Sequence, residues 1–247
     1  MVIRAFFWTS PGMVNNGEPS SNGNAHPESM AGVRTHEVAL DLFRKFVPAP
    51  AKVADLAAGE GAFSVKLKEL GHDVNAIDFS SENWKVPEIP LEIVDLDSEF
   101  SGSVVGKAGQ FDAVAAIEII EHLENPFRFV RECAGILKPG GLLFLTTPNV
   151  EAVHSRLIFL YSGRLSSFGA YETVRPAHIT PIFKWKLDMM LEEAGFETVH
   201  ECFNRYVYAT GVNLKGKIAA VVGRLLSPLL KGEKGGEGRI LVARLRS

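Results

Sequence analysis

Residues 53–64 read V-A-D-L-A-A-G-E-G-A-F-S, and the fold turns on them. Residues 53–56 have the apolar character of a buried strand, with the carboxylate of Asp55 near its end. Gly59-Glu60-Gly61 then makes a tight turn. In residues 62–70 the apolar positions recur at helical spacing, with Phe63, Leu67 and Leu70 on one side and Lys66, Lys68 and Glu69 mostly on the other. Strand, glycine turn and helix form the entry unit of a doubly wound nucleotide-binding fold. Glycine lets the backbone turn and approach a ligand without steric penalty. The free N–H groups at the helix start attract the ligand's negative end.

Working outward, residues 74–77 form a second short apolar run that ends in Asp78. An acidic side chain there can accept hydrogen bonds from two ribose hydroxyls, and its distance from Gly61 is near the ~20 residues expected of a ribose binder. The alternative is a cap on the turn before Ser80-Ser81. A dinucleotide fingerprint wants a third glycine three residues after Gly61, and that position is Ser64. Asp55 is awkward beside a phosphate but suits an ammonium group. S-adenosylmethionine carries an ammonium, a carboxylate, a ribose and an adenine.

The chain resembles the class I S-adenosylmethionine-dependent methyltransferases of the type 11/23-like group. The likeness rests on D-L-A-A-G-E-G (55–61), A-I-D-F-S (76–80), I-V-D-L-D (93–97), F-D-A-V-A-A-I-E-I-I-E-H-L (111–123) and L-K-P-G-G-L-L-F-L-T-T-P-N (137–149). Ala57 departs from the glycine more usual in the family. The resemblance implies an α/β Rossmann-like doubly wound seven-stranded sheet, mostly parallel with an antiparallel last strand, plus a cap insertion. It implies S-adenosyl-L-methionine as cofactor. Asp55, Ala57, Gly59 and Gly61 would hold its amino-acid end, Asp78 and Phe79 the ribose side, and Asp95 and Leu96 the adenine. Ile117 and Glu118 would line the methyl side. Around residues 118–122 the chain is also similar to the ubiquinone-pathway O-methyltransferases.

Composition narrows the partners. A net charge of −3 and a pI of about 6.2 argue against nucleic acid as substrate. Cys133 and Cys202 lie in apolar patterns and read as buried thiols. Neither a secretory leader nor an apolar run of ~20 residues is evident, so the cytoplasm is the expected compartment.

Along the chain, residues 1–31 read as a disordered tail rich in turn formers, with Met13 and Met30 as alternative starts. Residues 32–247 form the methyltransferase domain. A helix is expected over 33–47 with Val38, Leu42, Phe43 and Phe46 as its stripe. It packs on the core or closes over the ligand. Strands are expected over 91–94, 111–117, 142–146, 196–203 and 239–244, and helices from Asn125-Pro126 (buried face Phe127, Val130, Ala134, Leu137) and over 183–194. A cap insertion over about 151–182 stands over the mouth, where Arg164, Arg175 and His178 would select the acceptor. A second insertion covers about 206–238. Within it, residues 214–231 put Leu214, Ile218, Val221, Val222, Leu225 and Leu229 on one helical face edged by Lys217, Arg224 and Lys231. That is an interfacial pattern, which places the chain at the inner face of a membrane. A homodimer face or packing on the chain's own sheet are the alternatives.

Methyl transfer mostly needs orientation, but an oxygen or nitrogen nucleophile needs its proton removed. His122 and His178 are the candidate bases, ahead of His154, and either can instead be structural. Glu118, Glu121 and His122 share a face if their turn is helical. With His178 they resemble the divalent-metal set of small-RNA 2′-O-methyltransferases, although E-x-x-E-H here is also similar to metal-free enzymes, so no metal is assigned. The expected function is methyl transfer to a small-molecule acceptor, at oxygen, with a lipid-linked phenol, quinone or glycan precursor as the subclass. The alternatives are the metal-dependent RNA enzyme, a non-catalytic S-adenosylmethionine-binding protein and, disfavoured by Ser64, a nicotinamide-dependent oxidoreductase.

Overall fold

The computed structural model describes residues 26–169, 177–206, 214–232 and 234–247. Seven strands, β1 (Lys52–Leu56), β2 (Asp73–Asp78), β3 (Leu91–Ile93), β4 (Phe111–Ala116), β5 (Leu137–Pro148), β6 (Phe196–Phe203) and β7 (Gly238–Leu245), form one sheet in the order β3-β2-β1-β4-β5-β7-β6. The first five are parallel, and β7 runs antiparallel to both β5 and β6. The chain reverses its direction of winding between β1 and β4, and a doubly wound sheet binds its ligand at the carboxyl ends of such strands.

Helices cover both faces. Helices α1 (Thr35–Phe46) and α2 (Ala62–Glu69) lie on one, while α3 (Ser101–Ala108), α4 (Pro126–Ile136) and α6 (Lys184–Glu193) lie on the other. Side chains of the central strands alternate between the two layers: Ala113 and Ala115 of β4 face α1 and α2, whereas Val114 and Ala116 face the opposite side. The alanines make room for bulk from above, and Phe43 of α1 stacks on Phe144 of β5 with centroids 3.8 Å apart. Burying such a ring contributes roughly 1.5–3 kcal/mol. The remaining helices are α5 (Val153–Ser162), which follows β5 directly, and α7 (Leu214–Leu226), which lies between β6 and β7.

Several elements differ from expectation. The buried face of α1 is Thr35, Ala39, Leu42 and Phe43, with Val38 and Phe46 only half-buried, because Thr35 is drawn inward by polar partners. Helix α4 buries Phe129, Val130, Cys133 and Ile136 in place of Phe127 and Ala134. Its phase is set by Asn125, whose side chain accepts from the Arg128 N–H at 3.0 Å. Strand β5 begins at Leu137, and the Lys138–Gly141 stretch is absorbed as a register shift against β4. Residues 26–31, expected to belong to the tail, run across the glycine turn.

Candidate active site

Strand β1 leads into the turn with Ala57, Gly59 and Gly61 all in left-handed backbone conformations (φ 57, 58 and 95°). Ala57 therefore accepts a strain that glycine would avoid. Gly61 is required twice over, since a Cβ there would lie 2.5 Å from a Val86 methyl and 3.0 Å from the Trp84 ring. Gly59 lies under Met30, whose methyl is 3.6 Å from where a Cβ would stand.

Asp55 is fully buried beneath this turn. The Ser64 hydroxyl, on the first turn of α2, donates to its carboxylate at 2.6 Å. Burial pushes the Asp55 carboxyl up to about 7, the Ser64 bond opposes that, and Asp78 adds to it. Asp78, at the carboxyl end of β2, accepts from the Gly59 N–H at 2.8 Å and from the Ser80 N–H at 3.3 Å. It therefore combines the turn-capping role with a position beside the glycines, and burial raises its pKa. Phe79 projects from the same strand end with 76% of its surface exposed. The Leu96 side chain, expected to cover the adenine, is turned into the core instead. The following turn is closed by Asp95, whose carboxylate accepts from the Asp97 N–H. The apolar surfaces left open at that end of the sheet are Phe79 and Ile93, the latter paired in register with Asp78.

Across the mouth, Glu60 accepts from the Glu28 N–H at 2.7 Å and from Lys85 at 2.8 Å. Glu118 follows β4 with φ of 50°, and its N–H donates to the Thr146 hydroxyl. Its carboxylate accepts from the Gly32 N–H at 2.9 Å and the Thr35 hydroxyl at 3.4 Å. Thr35 in turn accepts from the Asn204 amide at 3.1 Å. The left-handed backbone at Glu118 corrects the sequence reading of one helical face. The short 3₁₀ turn begins only at Ile120, and Glu118 points toward α1, away from the other three members of its expected set. Ile117 packs half-buried on the α1–α2 side of the core.

Those three do come together. The Glu121 carbonyl accepts from the Ile179 and Thr180 N–H groups, and the Thr180 hydroxyl donates to the Leu123 carbonyl. This clamps residues 177–180 onto the end of β4 and sets His178 edge-on against His122, with centroids 4.7 Å apart. His122 Nδ1 is bonded to the Ala177 carbonyl at 3.0 Å and His178 Nδ1 to the Ser167 carbonyl at 2.6 Å. A carbonyl only accepts, so both Nδ1 atoms carry the proton. Burial, then the neighbouring His178, lowers the His122 pKa to about 4. Glu121 is fully buried and its carboxyl makes no close hydrogen bond, although the Thr147 hydroxyl is near enough to oppose the rise in its pKa. Burial and then the Glu118 charge push its pKa well up. One ligand atom from each of Glu121, His122 and His178 lies within 4.8 Å of the others. A buried carboxyl beside two oriented imidazoles is a donor set that fits a divalent cation.

Arg164 is exposed on the cap, and Arg175 lies outside the described residues. His154 is buried with its pKa lowered, mainly by burial. Sequence reasoning missed the roles of Ser64, Thr35 and Asn204. Ser64 follows the turn on the helix face that meets β1, and a hydroxyl there was a usable signal. Nothing local marks Asn204.

The profile of the family described as "Methyltransferase domain" matches residues 33–201. A ubiquinone biosynthesis O-methyltransferase of Xanthomonas axonopodis pv. citri is 41% identical over 107 residues, covering 41% of this chain and 45% of that protein. One from Xanthomonas oryzae pv. oryzae is 37% identical over 158 residues, covering 60% and 66%. The chain thus spans between about half and two thirds of the length of the curated relatives it matches. Among solved structures, a SAM-dependent methyltransferase from Archaeoglobus fulgidus superposes with a TM-score of 0.58 at 20% identity, over 85% of this chain and 94% of that one. That likeness speaks to the fold.

Proposed function

The chain belongs to the methyltransferase-domain family of class I S-adenosylmethionine-dependent enzymes, and from that membership we propose that it methylates an oxygen of a small-molecule acceptor. The carrying observation is Asp55. Its carboxyl is buried under the glycine turn, and the neighbours that act on it, Ser64 and Asp78, bring no positive charge. A phosphate in the turn would be repelled by it, whereas an ammonium would supply the missing countercharge.

The residues present fit the cofactor. Gly59 and Gly61 shape the turn that would hold the amino-acid end over the buried Asp55, Asp78 and the exposed Phe79 take the ribose and adenine side, and Asp95 contributes its backbone. Ile117 and Glu118 border the methyl side. When bound, S-adenosylmethionine supplies an electrophilic methyl. The chain's own contribution is to orient, to exclude water and to accept a proton. His122 and His178 stand where a base for the acceptor is needed, each with Nδ1 anchored to a carbonyl, and the lowered pKa of His122 makes it the weaker base in the ligand-free protein. The names of the Xanthomonas relatives support oxygen as the target atom and a quinone-type precursor as the acceptor class.

A second reading is favoured by the buried Glu121. Glu121, His122 and His178 would hold a divalent cation that polarises the acceptor oxygen. RNA is not the acceptor we favour, given the net charge of −3. Peripheral contact with a membrane through residues 214–231 belongs to the same proposal. No helix among the described residues is long and apolar enough to cross a membrane.

Calorimetry with S-adenosylhomocysteine and NADH, followed by turnover on catechol-type and carboxylic acceptors, tests the reading. Saturable binding of NADH in place of S-adenosylhomocysteine would end it. Tight binding without turnover on any acceptor would turn the case toward a non-catalytic binder.

A further inference from the structure

We propose that α5 and α7 form a single face that docks on an anionic lipid surface. The inference rests on the membrane contact proposed for residues 214–231 and extends it to the cap, which was expected only to select the acceptor.

The two helices pack on each other, although they are distant in sequence. Arg156 of α5 joins them further, donating through Nε to the Glu151 carbonyl and through Nη1 to the Lys231 carbonyl, both at 2.7 Å. Both helices leave large apolar side chains in solvent. Tyr161 is 93% exposed and Leu160 79% at the end of α5. Leu225 is 71% exposed on α7, and Leu229 77% on the 3₁₀ turn (Ser227–Leu229) that follows it. Phe159, Ile218 and Val221 are exposed beside them. Large apolar side chains exposed in this number on two helices that pack together call for an occupant.

Charge identifies the occupant. Residues 152–169 and 214–231 contain six Lys or Arg and no Asp or Glu, in a chain whose net charge is −3. Basic residues near an anionic bilayer are attracted to it. A second copy docking face to face would bring the same positive charge and no carboxylate to pair with it. An aromatic and aliphatic centre rimmed by cations fits the headgroup boundary, where tyrosine and snorkelling lysines are at home.

The placement also links that boundary to the site. Helix α5 has ten residues and so spans about 15 Å. It starts at the carboxyl end of β5, where Val153, His154 and Ser155 are buried, and ends at the exposed Tyr161. The loop after it is held to its base by the Ser166 N–H donating to the Ser155 hydroxyl, and it supplies the Ser167 carbonyl that orients His178. One continuous element thus runs from the lipid face to a candidate base.

The test is co-sedimentation of the full chain with vesicles of phosphatidylglycerol and phosphatidylcholine, and with phosphatidylcholine alone, at low and high salt. Wild type is expected to bind the anionic vesicles and to be released by salt. The double variants Leu160→Ser/Tyr161→Ser on α5 and Leu225→Ser/Leu229→Ser on α7 should each weaken binding at least about tenfold. Both should keep S-adenosylhomocysteine affinity, because neither pair touches the glycine turn. If the α7 variant loses binding and the α5 variant does not, this inference falls while the contact through 214–231 stands. If wild type binds no vesicle, both fall. A salt-resistant dimer dissolved by either variant makes a second copy the occupant and overturns the proposal. Loss of S-adenosylhomocysteine binding in wild type would strike the cofactor reading alone.

Discussion

The Ser64 hydroxyl donates to the Asp55 carboxylate at 2.6 Å, and it is the side-chain hydrogen bond that acts on this buried carboxyl. Ser64→Ala would leave a buried carboxyl unsatisfied, at a cost of about 1–3 kcal/mol. A fall of several degrees in the melting temperature of the ligand-free protein is expected. An unchanged melting temperature would show that water or another donor replaces the hydroxyl.

The Asp55 pKa of about 7 has a definite pH signature. It lies above the ordinary carboxylate value of 3.8, so protons favour the folded state. The Asp55 contribution to stability is therefore present below about pH 4 and is lost as pH rises to about 7. Binding of an ammonium-bearing ligand needs the ionised form, so its affinity should run the opposite way. S-adenosylhomocysteine should bind more weakly as pH falls from 8 to 6, by up to about tenfold per unit below the pKa. In Asp55→Asn the slope should vanish along with most of the affinity. Calorimetry across that range checks both, and an equal slope in the variant would rule Asp55 out as its source.

Two substitutions in the turn should act in opposite directions. Gly61→Ala meets Val86 at 2.5 Å and a φ of 95°, and should cost at least ~2 kcal/mol together with cofactor binding. Ala57→Gly relieves a left-handed alanine and should be neutral or stabilising by up to ~1 kcal/mol, despite the added freedom of the unfolded chain. Denaturant melts of the two variants settle the comparison.

Asp78→Ala should weaken S-adenosylhomocysteine by at least ~1.4 kcal/mol, the loss expected from charge-assisted hydrogen bonds to ribose. Because Asp78 also holds the Gly59 N–H, the turn itself should loosen. Asp78→Asn, which keeps an acceptor for that N–H, should recover stability more fully than affinity. Equal recovery of both would reduce Asp78 to a turn cap.

Glu121 decides between proton and metal chemistry. After chelation, Mn²⁺ or Mg²⁺ should raise the melting temperature if the buried carboxyl and the two histidines hold a cation. Glu121→Gln should abolish the shift. No shift in wild type would leave His122 and His178 as bases or as structural groups.

The glycine turn and the strands flanking it were legible because they rest on local signals: apolar runs, glycines at fixed offsets and an acid at the end of β2, whereas the seven-stranded, mostly parallel sheet was expected from the family resemblance. Helix phase was less legible. In α1 the inward residue is Thr35, a polar side chain whose partners Glu118 and Asn204 lie far along the chain, and no periodicity of apolar residues predicts that. The grouping of Glu118 with Glu121 and His122 assumed a helix, but the left-handed backbone at Glu118 sends the three side chains to two places. His178 was identified from its cap position alone. What brings it to His122 is backbone pairing of residues 179 and 180 with Glu121, which has no side-chain signature. Leu96 was assigned to the ligand by resemblance, yet its apolar character answers to the core beneath it.

The Asn204 side chain accepts from the Arg205 and Gly238 N–H groups and donates to Thr35, 169 positions earlier in the chain. Thr35 cannot acquire that partner until Asn204 has been synthesised. At roughly 5–20 residues per second, α1 would wait on the order of 10–30 s on the ribosome with this bond unmade. The cofactor mouth is thus among the last parts of the molecule to be completed during translation. Nascent chains arrested before residue 204 should therefore be cut by protease near residue 32, and chains arrested well beyond residue 238 should resist.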